Sequence, residues 1–116
     1  MKKLLLIIAY ALTLSFSLIE WKIPEEYKVM KNPEEATIQS IENGKELYME
    51  KCKMCHGQNG IKSGKSDLTN KDFQNRTDGE IYYIITVGNS KMPGYEKKIP
   101  DVKDRWNIVN FIRKFK

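Results

Sequence analysis

The chain holds two cysteines and a single histidine, and it places all three within five residues, Cys52-Lys53-Met54-Cys55-His56. Its 116 residues suit one small domain. If an N-terminal piece is removed, about 100 residues are left, near the size where one core is thin and a staple or large cofactor helps. A disulfide inside Cys-x-x-Cys closes a very small loop and adds little entropic stabilisation. The motif therefore calls for a chemistry other than a disulfide framework.

Three chemistries use such a pair. A zinc site needs four ligands, usually thiolates and imidazoles. The whole sequence offers three such residues, and Cys55 and His56 are neighbours, which strains joint ligation. A thioredoxin-like dithiol follows a strand in a βαβ setting. Here the preceding residues carry a helical pattern and no βαβ pattern follows. The third chemistry uses all three residues, because Cys-x-x-Cys-His is the attachment pattern of c-type haem. The two thiols add to the vinyl groups as thioethers, and the spacing lets both sulfurs reach neighbouring edges of one macrocycle. His56 is then aimed at the iron as proximal ligand. The expected cofactor is one covalently bound haem c with its iron.

A low-spin carrier needs a sixth ligand, and no second histidine exists. The five methionines are Met1, Met30, Met49, Met54 and Met92. Met1 belongs to a targeting segment, and Met49 and Met54 lie on the proximal side, where Met54 reads as a packing residue and its neighbour Lys53 as a surface one. Met30 has no supporting context. Met92 sits in Lys91-Met92-Pro93-Gly94-Tyr95, far enough beyond His56 for the chain to pass around the ring, and Pro93 stiffens its loop. Met92 is the expected second axial ligand.

Helical signals surround the motif. Residues 38 to about 54 read as a helix with a face of Ile41, Gly44, Tyr48 and Cys52. Asn32-Pro33-Glu34-Glu35 reads as a helix start. Residues 57–76 read as a loop with a turn of helix near Leu68 to Phe73. Thr77 and Glu80 form a capping box ahead of Ile81, Ile84 and Ile85, and Gly88 is a stop. Tyr82 and Tyr83 also suit a strand, and the capping box decides for helix. Residues 89–100 form a loop. Asp101 caps a last helix with Ile108, Phe111, Ile112 and Phe115 on one stripe beside Trp106. Loops this long fit a small domain when they wrap something.

The N-terminus addresses the chain. Lys2 and Lys3 precede a run from Leu4 to Ile19 without a charge. The run reads as a signal peptide, residues 1–17, cut after Ser17. An uncleaved membrane anchor through residues 4–19 is the alternative. Both put the domain in the periplasm or on the outer face of the cytoplasmic membrane. Residues 18–36 read as an extended arm. Residues 18–51 hold 5 Lys and Arg against 8 Asp and Glu, while residues 52–116 hold 13 against 7. No aromatic-rich basic stripe accompanies the positive charge, so nucleic acid is not an expected partner.

The residues as a set resemble the class I (mono-haem) cytochromes c, from about Ile38 to the C-terminus. "GKELYMEKCKMCHG" is similar to the family's first helix and haem site. "DGEIYYIITVGNSKMPGY" is similar to its middle helix and methionine loop, and "DRWNIVNFIRKF" to its last helix. The resemblance implies an all-α fold of three to four helices and long loops wrapped around one haem, over residues 37–116. It implies that Gly44 and Tyr48 pack against Ile108 and Phe111. It gives Leu68 as a haem-packing leucine. Ser66 stands where the family often has a proline whose carbonyl accepts from the proximal histidine; a serine carbonyl accepts as well. An apolar surround of Ile61, Leu68, Ile84, Ile85 and Tyr95 then favours Fe(II), as does a thioether ligand.

The implied function is one-electron transfer between respiratory redox partners, not catalysis. Lys53, Lys62, Lys65, Lys91, Lys97 and Lys98 surround the expected haem edge; they either steer docking onto an acidic partner or simply solubilise the surface. Two alternatives stay open. The chain is the haem subunit of a larger oxidoreductase, held by its arm, or the iron is five-coordinate and reacts with small gases or peroxide.

Overall fold

The computed structural model describes residues 21–62 and 67–116. The apolar run at 1–19, with the cleavage or anchor expected there, lies outside the described residues, as do Lys65 and Ser66. The described residues are helical. They contain no strand, only one isolated antiparallel bridge between Gly88 and Pro93. No helix among them is long and apolar enough to cross a membrane.

The arm is not simply extended. It contains one helical turn, α1 (Glu25–Lys28), opened by Pro24 and closed by a bond from Met30 N–H to Tyr27 O at 3.2 Å. The Asn32-Pro33 signal does not start a helix. The Asn32 carboxamide is used otherwise: its oxygen accepts from Glu34 N–H at 2.8 Å, and its nitrogen donates to Asn110 Oδ1 at 2.9 Å. The helix α2 (Ile38–Lys51) starts later, where the Thr37 hydroxyl accepts from Ser40 N–H at 3.1 Å. It stops earlier than its periodicity suggests. Cys52 opens the backbone to φ −115°, and a separate turn, α3 (Lys53–His56), carries the rest of the motif. Gly57, at φ 80°, ends that turn.

A short α4 (Lys71–Gln74) follows, capped by Asn70. Next comes α5 (Asp78–Val87), whose capping box forms in full: Thr77 Oγ1 accepts from Glu80 N–H, and Glu80 accepts from Thr77 N–H. The last helix is α6 (Val102–Ile112), capped by Asp101 and continued by a 3₁₀ turn at Arg113–Phe115.

The core forms where α2 crosses α6. Gly44 makes the crossing close: a Cβ there would sit 2.0 Å from the Asn107 carbonyl oxygen and 3.0 Å from Phe111 Cβ. One turn on, the Tyr48 ring packs against Phe111 at 5.2 Å and Phe115 at 5.3 Å. Phe111 is the expected counterpart. The backbone of Asn107 takes the place expected of Ile108, which is buried in the core behind it. Polar side chains at the upper end of the crossing satisfy one another, with Ser40 Oγ donating to Asn107 Oδ1 at 2.6 Å and Asn110 donating to Ser40 Oγ at 2.8 Å. Arg113 ties the loop before α5 to the C-terminus, donating to Asp78 at 2.8 Å and to the Gln74 and Arg76 carbonyls, each at 2.6 Å.

Candidate functional site

The helical turn that carries the motif sets its geometry. The Cys52 carbonyl accepts from both Cys55 N–H at 3.2 Å and His56 N–H at 3.0 Å. Residues three apart on such a turn share a face. Neither cysteine is in a disulfide; Cys52 is buried, while Cys55 is exposed. The Tyr48 hydroxyl donates to the Gly57 carbonyl at 2.7 Å and so fastens the end of the turn to α2.

Cys52 and His56 open into a narrow apolar cleft of ≈ 70 Å³. Leu68, Phe73, Ile81, Ile84, Ile85 and Ile112 form much of its wall, and Met92 reaches it from the opposite loop. Burial, aided by the neighbouring Cys55, pushes the Cys52 thiol up to about 12. Among the described residues no three His, Cys, Asp or Glu side chains gather to hold a metal ion.

The loop that presents Met92 is tightly specified. Asn89 N–H donates to the Met92 carbonyl at 2.8 Å, and Asn89 Oδ1 accepts from Met92 N–H at 2.9 Å and Lys91 N–H at 2.8 Å. Gly88 adopts φ 67°, and a Cβ there would lie 2.4 Å from Met92 O. Tyr95 donates its hydroxyl to the Lys51 carbonyl at 3.1 Å, joining this loop to the end of α2. Burial raises the Tyr95 hydroxyl above its ordinary value, with Cys52 adding to the effect. Beneath the loop, Arg105 is 4 % exposed. It donates to Thr86 Oγ1 at 3.1 Å, Ile99 O at 2.6 Å and Tyr82 OH at 2.9 Å. It thus closes both ends of the Met92 loop.

Of the residues singled out in the sequence, Cys52, His56, Leu68 and Met92 meet at the cleft. Cys55 faces solvent. Pro93 is exposed and pairs with Gly88 instead of lining the wall. Ile84 and Ile85 line the cleft as expected. Ile61 does not: it is 58 % exposed. Tyr95 supports the loop from outside the wall. Met54, read as a packing residue, is 81 % exposed. Met30 lies against Gly79, away from the cleft.

Trp21, Phe73, Ile81, Ile112, Asn89 and Arg105 were not anticipated here. Asn89 carries a readable signal, since Asn after Gly favours a turn. Arg105 carries none, because a charged residue on an amphipathic helix is expected at the surface.

An apolar cleft with a thiol, an imidazole and a thioether in its walls carries the donor set that a covalently held haem needs. The family model for cytochrome c oxidase, cbb3-type, subunit III matches residues 39–112, and the chain belongs to that family. It is a c-type cytochrome domain, and membership implies covalently bound haem c with iron. No curated protein matches the chain.

Proposed function

We propose that the chain is an exported mono-haem cytochrome that passes single electrons between respiratory redox proteins. The carrying observation is the convergence of Cys52, His56 and Met92 on one apolar cleft. Cys52 and Cys55 would hold the haem through thioethers. His56, presented by α3, and Met92, presented by the Asn89-braced loop, would ligate its iron. When bound, the haem iron supplies a one-electron Fe(III)/Fe(II) couple.

The protein's own residues do the rest. Leu68, Ile84 and Ile85 keep water from the cleft and favour the less charged reduced state. Pro93 and Gly88 close the base of the Met92 loop. Arg105 and Tyr95 hold that loop against α5, α6 and α2, so the thioether stays in place in both oxidation states. Lys53, Lys91 and Lys97 are exposed and available to steer an acidic partner. Lys62 and Lys98 are engaged locally, with the Met54 carbonyl and the Tyr95 ring. The uncharged N-terminal run after Lys2 and Lys3 supports a position outside the cytoplasmic membrane.

A second reading follows from the family's name: the domain serves as a resident haem subunit of a larger oxidase. The test is one purification from a host that matures c-type cytochromes. Denatured intact mass is expected to show one haem added to the chain, and Cys52→Ala with Cys55→Ala is expected to abolish the addition. Native size decides between a free carrier and a complex. A chain purified without covalent haem contradicts both readings.

A further inference from the structure

Among the described residues of the cleft wall, Trp21 alone comes from outside the family-matched stretch 39–112. It precedes every described helix and belongs to the arm. Yet the arm is fixed close behind it. Ile23 is buried. Tyr27 meets Tyr83 edge-on at 4.8 Å and stacks near Tyr82 at 6.5 Å. The Tyr27 carbonyl lies so close to Gly79 that a Cβ there would approach it to 1.9 Å. Farther on, Asn32 donates to Asn110 Oδ1 at 2.9 Å and to the Trp106 carbonyl at 3.3 Å. The arm is a strap held at successive points on α5 and α6.

From this placement we propose that Trp21 is a cofactor-pocket residue, carried into the haem cleft by the strap to exclude water from it. The proposal rests on the haem reading above. A large half-buried indole in the wall displaces solvent from the space that Cys52, His56 and Met92 share. Removing solvent lowers the local dielectric and penalises the oxidised, more highly charged state, which raises the reduction potential. Tyr27 acts through Trp21 as a positioning residue, because it fixes the strap to α5.

The test uses the haem-loaded full chain and four variants: Trp21→Ala, Trp21→Phe, Tyr27→Ala and, as a control at an exposed neighbour, Lys22→Ala. Equilibrium redox titration is expected to give a lower midpoint for Trp21→Ala, so that the reduced fraction at a fixed ambient potential falls. Trp21→Phe restores most of the loss, Tyr27→Ala reproduces it, and Lys22→Ala leaves the midpoint unchanged. Fluorescence supplies a readout independent of electron transfer, since the chain has two tryptophans, Trp21 and Trp106. Next to haem, Trp21 is quenched by energy transfer, so folded wild type and Trp21→Phe are expected to be equally dim. A bright, red-shifted emission lost in Trp21→Phe, or a midpoint unmoved in Trp21→Ala, overturns the proposal while leaving the haem reading intact. Absence of covalent haem from the wild type overturns both.

Discussion

Gly44 shows how much one missing methyl group matters in this chain. The α2–α6 crossing holds most of the core, and the Asn107 carbonyl occupies the place where a side chain at residue 44 would begin. A carbonyl on a helix backbone cannot swing aside as a flexible side chain would. Gly44→Ala is expected to push the helices apart and cost at least the ~1–3 kcal/mol typical of overpacking, despite the better helix propensity of alanine. Urea unfolding of the haem-loaded variant measures it; an unchanged midpoint would show that the crossing relaxes freely. The glycine and its aromatic companion Tyr48 were legible in the sequence, because helical spacing put them on one face. The partner on the last helix was half legible. Phe111 was named, but contact with a backbone carbonyl at Asn107 leaves no trace in residue type. Met54 was misread for a simpler reason: two residues beyond Cys52 on a helix is about 200° around the axis, away from the face that Gly44 and Tyr48 share, and the side chain is exposed.

At the scale of elements, the clearest signals were local ones. Thr77-Asp78-Gly79-Glu80 contains its own hydrogen-bond partners, so the capping box could be read before any tertiary contact was known. Thr77→Ala removes the bond to Glu80 N–H and is expected to cost about 1 kcal/mol. The denaturation midpoint should fall with an unchanged m-value, and a change in m would show that more than the helix end had been disturbed. Signals completed by distant residues failed. Asn32-Pro33-Glu34 has the composition of a helix start, yet the Asn32 side chain is shared between its own turn and Asn110, 78 residues away. Arg105 is a second case. Its hydrogen bonds to Thr86, Ile99 and Tyr82 exist only because α5 and the loop before α6 converge on it.

For the molecule as a whole, the motif foretold the architecture because its chemistry needs a surround. A thin core, long loops and a lone Cys-x-x-Cys-His are mutually consistent if the loops enclose a cofactor, and the cleft lined by Cys52, His56 and Met92 is the place proposed for it. The strap lay beyond that logic. Residues 21–36 have the charges and prolines of a linker, and their attachment through Ile23, Tyr27 and Asn32 appears only against the folded surfaces of α5 and α6. The central claim is that His56 and Met92 together ligate one haem iron in this cleft. The most direct measurement is the near-infrared spectrum of the oxidised protein, where a methionine thioether on iron gives a charge-transfer band. The band is expected in the wild type and absent from Met92→Ala, whose reduced form should then bind carbon monoxide rapidly. A wild type that lacks the band and binds carbon monoxide as fast as the variant would contradict the account.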